Sequence, residues 1–188
     1  MVRQIGYSPK EFAEIMIAKE GGFSNAKTLY DKSALKESGY HPLPLESGSA
    51  GERYSNILNK IFTKNYDFKD YDRAANIYWP GNKIGLGRED VISFWESLKN
   101  ILSEVKFKVE HVGYLDEPNK NPRASIRWSL EGIHSGDSEM YGKKTNSNLY
   151  FMGINHTELN SYGIIREWVL FDEVAIWKQI LMNKNKNE

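Results

Sequence analysis

The segment Ile165-Arg166-Glu167-Trp168-Val169-Leu170-Phe171-Asp172-Glu173 carries the clearest signal in this 188-residue chain. Residues of a strand alternate between the two faces of a sheet. Trp168, Leu170 and Asp172 therefore share one face, and Glu167, Val169 and Phe171 share the other. Each face combines large apolar groups with a carboxylate. Such a carboxylate lies either at a strand end in water or in a pocket that shifts its pKa. The choice between these decides whether the segment points to chemistry or only to a container. A second strand signal, Gly153-Ile154-Asn155-His156, precedes it.

The chain is long enough for one good-sized domain, or a domain with an appendage. A hydrophobic fraction of 40%, with 13% aromatic, supplies a core that a disordered chain would lack. Lys+Arg and Asp+Glu both number 25, so the formal charge is zero. That balance gives no electrostatic support for nucleic acid or a membrane surface as partner, and neither is expected. The absence of cysteine excludes disulfides, thiolate zinc sites and cysteine nucleophiles. No apolar run reaches the roughly 20 residues that span a bilayer. Met1-Val2-Arg3-Gln4 is not followed by the apolar stretch of a signal peptide, so a soluble cytoplasmic protein is the expectation. His41, His111, His134 and His156 show no short paired spacing, so no metal is expected. Gly81 to Gly87 lacks the Gly-Lys-Ser/Thr ending of a phosphate loop, and no cofactor is expected.

Outward from the opening segment, helices come first and strands follow. Ser8-Pro9-Lys10-Glu11 is a capping box with proline in the first helical position, and Gly21-Gly22 is the expected stop. Phe12, Ile15 and Met16 give that helix one apolar stripe, so it must dock. The stretch from Gly39 to Gly51 has loop chemistry. Residues 1–50 thus read as a helical arm and linker, 51–182 as the main domain, and 183–188 as a frayed tail. A helix is expected over 51–63, with Tyr54, Ile57, Leu58, Ile61 and Phe62 on one side, and a shorter one near 67–73. Ala75 to Trp79 reads as a short strand stopped by Pro80-Gly81. A helix from Gly87 to about 101 places Val91, Phe94, Trp95 and Leu98 at helical spacing. Strand-like alternation follows over 106–114, 124–133, 148–158 and 163–172, and the chain closes with a short apolar helix or strand end near 174–182. Helices followed by antiparallel strands give an α+β fold, with a curved sheet around a helix enclosing a cone-shaped cavity.

From about residue 52 to 181 the chain resembles the SnoaL-like polyketide cyclases of the nuclear transport factor 2-like superfamily. The matching pieces are Tyr78-Trp79-Pro80-Gly81, Gly87-Arg88-Glu89 leading to Phe94-Trp95, and Ile126-Arg127-Trp128-Ser129-Leu130-Glu131-Gly132-Ile133-His134-Ser135-Gly136. Gly153-Ile154-Asn155-His156, Gly163-Ile164-Ile165, Glu167-Trp168, Asp172-Glu173 and Gln179-Ile180-Leu181 continue the series in order. It is most similar to the second domain of tandem SnoaL-like proteins, in which a region like Ser8–Gly51 follows the first domain. Gly142-Lys143-Lys144-Thr145-Asn146 stands where the family often has a Pro-Thr-Gly turn. The resemblance implies a cone-shaped α+β barrel, its curved antiparallel sheet wrapped around the N-terminal helices. It also implies a homodimer and a small apolar or polycyclic ligand. The implied activity is a cofactor-free cyclase or isomerase that uses a pocket carboxylate as acid and base. The same fold also serves non-catalytic modules that hold an apolar ligand.

On that resemblance Asp172 is the first candidate for the pocket acid, able to take a proton from carbon α to a carbonyl and return one to an alkoxide. Its competing reading is a helix cap for the segment beginning near Val174. His156 and His134 are further candidates for orienting an acid or a substrate oxygen, each set against the role of a hydrogen-bonded core histidine. Arg127 is expected to pair with Glu167 or Asp172 across strands, or else to form a surface ladder pair. Trp128, Trp168 and Trp79 fill the core or wall the cavity, and Tyr78 or Asn76 could donate a hydrogen bond into it. A one-residue shift of register would reverse every one of these facings.

Overall fold

The computed structural model describes residues 6–20, 44–62 and 66–184. The chain runs α1 (Pro9–Glu20), α2 (Ala50–Ile61), β1 (Tyr71–Trp79), β2 (Lys83–Leu86), α3 (Arg88–Asn100), β3 (Leu102–Leu115), β4 (Arg123–His134), β5 (Asn148–Asn160), β6 (Gly163–Phe171) and α4 (Glu173–Lys184). The strands form one six-stranded sheet in the order β2-β1-β6-β5-β4-β3. It is open, with β2 and β3 at its edges. Every pairing is antiparallel except β1 with β6, which is parallel, so the sheet is mixed rather than wholly antiparallel as expected.

Local chemistry sets the helix starts. Ser8 and Glu11 exchange the two bonds of a capping box, at 2.8 and 3.2 Å. At α2 the Ser49 hydroxyl accepts from the Glu52 amide at 3.2 Å, while Asp116 of the β3–β4 turn accepts from Ala50 at 3.1 Å and ties the helix to the sheet. The start of α3 differs: Gly87 stands at the cap with φ 88° and no side-chain bond. The apolar stripes of α2 and α3 then meet the concave sheet face. Tyr54, Leu58, Ile61, Trp95 and Leu98 are buried against Ile126, Trp128, Leu130, Phe151 and Ile164.

The expected helix near 67–73 is instead a turn followed by the first residues of β1. Propensity there yields to pairing, because Tyr71 sits opposite Ile164 of β6. Strand β2 was not anticipated; it completes a hairpin with β1 through Pro80-Gly81-Asn82. The final element is helical, and its Gln179 bonds both the N–H and C=O of Tyr150 at 2.6 and 2.8 Å, clamping α4 to β5. The α1 helix lies against α4, with the Lys10 ammonium 5.5 Å from the centre of the Trp177 ring. The expected Gly21-Gly22 stop, residues 39–43 of the loop stretch and residues 185–188 of the tail lie outside the described residues, whereas Asn183 and Lys184, expected to be frayed, continue α4.

Candidate functional site

From Arg166 to Phe171 the alternation in β6 is strict. Glu167, Val169 and Phe171 are buried, whereas Trp168, Leu170 and Asp172 face solvent. The carboxylate inside the cone is therefore Glu167, at 0% exposure. Four donors from four other elements converge on it. Oε1 accepts from the Tyr54 hydroxyl of α2 at 2.5 Å and from the Asn155 amide of β5 at 3.0 Å. Oε2 accepts from the Tyr71 hydroxyl of β1 at 2.9 Å and from the Trp95 indole of α3 at 3.3 Å.

A second layer supports the first. The amide of Asn155 also donates to the Tyr54 oxygen at 2.8 Å, and its carbonyl accepts from the Trp128 indole of β4 at 2.7 Å. The Trp128 ring in turn lies on Gly153, where a β-carbon would come within 2.2 Å of it. Around this polar centre the cone is filled by rings in contact. Phe62 stacks on Phe107 at 4.5 Å and meets Trp95 edge-on at 5.9 Å, and Phe107 continues to Trp128, Phe171 and Phe151.

Burial raises the Glu167 pKa above the ordinary carboxylate range, against the pull of the hydrogen bonds from Tyr54, Tyr71, Asn155 and Trp95. Burial, with the carboxylate beside them, also holds Tyr54 and Tyr71 well above the usual phenol range. The two phenols therefore keep their protons as donors, and Glu167 is the group able to change charge. Such a centre can accept a proton, return it, and stabilise an oxyanion.

The structure separates the expected site residues. Asp172 is exposed, and its Oδ1 accepts from the Val174 and Ala175 amides at 2.9 and 3.1 Å. It caps α4, so the pocket-acid reading of Asp172 fails. Arg127 and Glu167 cannot pair: β5 lies between their strands, and Arg127 alternates with the buried Ile126 and Trp128 while Glu167 points inward. The exposed His156 lies outside the cone, its ring 5.3 Å from Trp168, which itself stacks on Tyr78 at 5.5 Å. Asn76, at i−2 from Tyr78, shares that outer side, opposite Leu86. Trp79 stacks on Phe94 at 5.0 Å within the core. His134 is buried, its Nδ1 3.1 Å from the Thr145 hydroxyl and its Nε2 without a partner. Burial lowers its pKa, so it is a neutral core histidine. Of the expected residues, Trp128 and Glu167 belong to the interior cluster.

Tyr54, Tyr71, Trp95 and Asn155 were missed as site residues. The available signal was a tyrosine in the apolar stripe of α2, together with a carboxylate sharing its strand face with Val169 and Phe171. Among the described residues no helix is long and apolar enough to cross a membrane. No group of three or more His, Cys, Asp or Glu side chains among them is placed to hold a metal ion.

The arrangement of helices against a curved six-stranded sheet matches solved structures. A candidate SnoaL-like polyketide cyclase from Jannaschia sp. CCS1 superposes with a TM-score of 0.56 at 13% identity, covering 73% of this chain and 97% of that one. The fold is SnoaL-like. A second SnoaL-like structure, a candidate polyketide cyclase from Shewanella putrefaciens CN-32, gives 0.55 at 14% identity over 76% of this chain and 98% of that one. A protein with a ketosteroid isomerase-like fold from Catenulispora acidiphila DSM 44928, bound to trimethylamine, gives 0.53 at 8% identity over 69% and 92%. The sequence matches no family model and no curated protein. At these identities the likeness shows the SnoaL-like fold alone, and function must be argued from the site within it.

Proposed function

We propose that this protein is a cofactor-free small-molecule enzyme of the SnoaL-like kind, with Glu167 as its acid/base group. The observation that supports this reading is the Glu167 cluster itself: a wholly buried carboxylate, its pKa raised, holding two phenols at 2.5 and 2.9 Å. Burying an ionisable group costs stability that an apolar residue would not, and such groups concentrate where chemistry is done. The suggested reaction is an intramolecular aldol closure. Glu167 takes the proton from a carbon α to a carbonyl, the resulting enolate carbon bonds to a second carbonyl carbon, and Glu167 returns the proton to the new alkoxide. Tyr54 and Tyr71 donate to the oxyanions that develop. The aromatic surroundings suit a small apolar or polycyclic carbonyl compound. We place the entry at Phe62 and Phe107, both half-buried, which a substrate displaces to reach Trp95 and the carboxylate behind it.

Deuterium uptake at the α-carbon of a cyclic monoketone in D2O, followed by NMR, tests this. The expected result is an acceleration of about 100-fold over background, lost in Glu167→Gln and kept or increased in Phe62→Ala. Background rates for both the native chain and Phe62→Ala would overturn it. A second reading, a ligand-binding module without turnover, is favoured by one observation: the four donors occupy the directions that the two carboxylate oxygens offer. In that case the ketone changes the Trp95 and Trp128 fluorescence without deuterium uptake above background. We further propose a homodimer through the outer sheet face, where Ile84 and Leu86 of β2, Met152 and Ile154 of β5 and Leu170 of β6 are each 49–68% exposed.

A further inference from the structure

The outer face of the sheet carries one row of residues that crosses all six strands: Ile84, Tyr78, Trp168, His156, Ser125 and Gly113, each paired with the next. Three of them form a rack of parallel rings. Tyr78 and Trp168 are 5.5 Å apart at 9°, and Trp168 and His156 are 5.3 Å apart at 23°. The rack stops at β5. On β4 and β3 the row continues with a serine and a glycine, and a β-carbon built on Gly113 meets nothing within 4 Å. The far face of the His156 ring therefore looks along the row over a floor of a serine and a glycine, with Arg123 and Arg127 flanking Ser125 on β4 and His111 and Leu115 flanking Gly113 on β3.

Beside this floor lies a groove of about 500 Å³ lined by Lys120, Asn121, Arg123, His156, Glu158 and Trp168. Its charges are organised. Glu117 accepts from Lys120 at 3.0 Å and from Arg123 at 2.9 Å, while Glu158 accepts from Asn121 at 2.8 Å and from Arg166 at 2.9 Å. Lys120, Arg123 and Arg166 thus stand against two carboxylates, leaving one positive charge in excess at the groove. Lys120 extends most freely, its side chain 63% exposed. Arg123 is two residues from Ser125 on the same strand and so shares its face.

We propose that this groove is a binding site for a planar aromatic anion, distinct from the Glu167 chamber on the opposite side of the sheet. The ring continues the stack on His156 above Ser125 and Gly113, and the anionic group meets Lys120 and Arg123. The exposed aliphatic residues proposed to pair two copies lie on β2, β6 and β5, so a pair of copies leaves uncovered the β4–β3 end of the row, where the ring would stack.

Titration of the uniformly ¹⁵N-labelled 188-residue chain with 2-naphthoate, read by NMR, tests the site. Saturable shifts of the Trp168 indole N–H and the His156 ring are expected, with a dissociation constant of about a millimolar, as suits a ligand of this size. Ser125→Leu fills the floor from the solvent side without touching the core, and should weaken binding at least about tenfold. Lys120→Gln should weaken it by a smaller factor. Cyclohexanecarboxylate, an anion without a flat ring, and 2-naphthylmethylammonium, a flat ring without an anion, should each fail to reproduce the shifts. Absent shifts, equal shifts from either control, or undiminished binding by a folded Ser125→Leu chain would overturn the proposal.

Discussion

Replacing Glu167 with glutamine keeps the shape of the buried side chain and removes its ability to ionise. In the folded state the Glu167 pKa lies above its ordinary value of 4.5. As the pH rises past 4.5, the unfolded chain releases this proton while the folded chain retains it. The folded state then binds more protons than the unfolded one, so native stability falls with pH by about 1.4 kcal/mol per unit from this one group. The fall continues until the pH passes the folded pKa. The neutral amide of the variant contributes no such slope. At low pH the substitution still has a cost: the hydroxyl oxygen of a protonated carboxyl can accept from the Trp95 indole, whereas an amide nitrogen cannot. That contact is long, at 3.3 Å, and its loss should cost about 1–2 kcal/mol. Glu167→Gln is therefore expected to be the less stable chain near pH 4 and to gain on the native chain as the pH rises above 4.5. Urea unfolding followed by tryptophan fluorescence between pH 4 and 8 measures both curves. A difference between them that stays constant across that range would refute the reasoning. So would a native chain that gains on the variant as pH rises, since that requires a lowered pKa.

Three other substitutions test separate parts of the structure. Asp172→Ala removes the cap of α4 and should cost about 1 kcal/mol in urea unfolding, with α-proton exchange activity unchanged; lost activity in a folded variant would restore Asp172 to the site. Gly153→Ala puts a β-carbon within 2.2 Å of the Trp128 ring, so thermal unfolding should show a loss of at least about 1–3 kcal/mol and near-ultraviolet circular dichroism a displaced tryptophan. Leu170→Glu, on the exposed face, should leave the far-ultraviolet circular dichroism unchanged and yield a monomer in light scattering if the proposed homodimer forms there.

The strands and main helices were legible because their periods are long and clean. β3 to β6 alternate over 9 to 14 residues, and Val91, Phe94, Trp95 and Leu98 mark α3. What sequence could not supply was the sign of each alternation. In β6 a tryptophan and a leucine on one face outweigh a valine and a phenylalanine on the other by size, yet the smaller pair faces inward. Glu167 was read as an arginine partner because a buried carboxylate is uncommon unless its donors are known, and those donors come from elements far along the chain. His156 and Asn155 exchange roles for the same one-residue reason. The turn-borne features, β2 and the entry into β1, depend on strand pairing rather than on their own composition.

The spacing of the Glu167 donors along the chain has a consequence for how the molecule is made. Trp95, Tyr71 and Tyr54 lie 72, 96 and 113 residues before the carboxylate they bind. While the chain emerges from the ribosome, α2, β1 and α3 appear with their polar groups aimed at a position not yet synthesised. The parallel partner of β1 is missing for the same interval, because it is β6 itself. The cone therefore cannot close stepwise from its N-terminal end. It depends on one late strand that supplies both the central backbone pairing and the shared acceptor, so closure of the cone is tied to the most sequence-distant contacts of the fold.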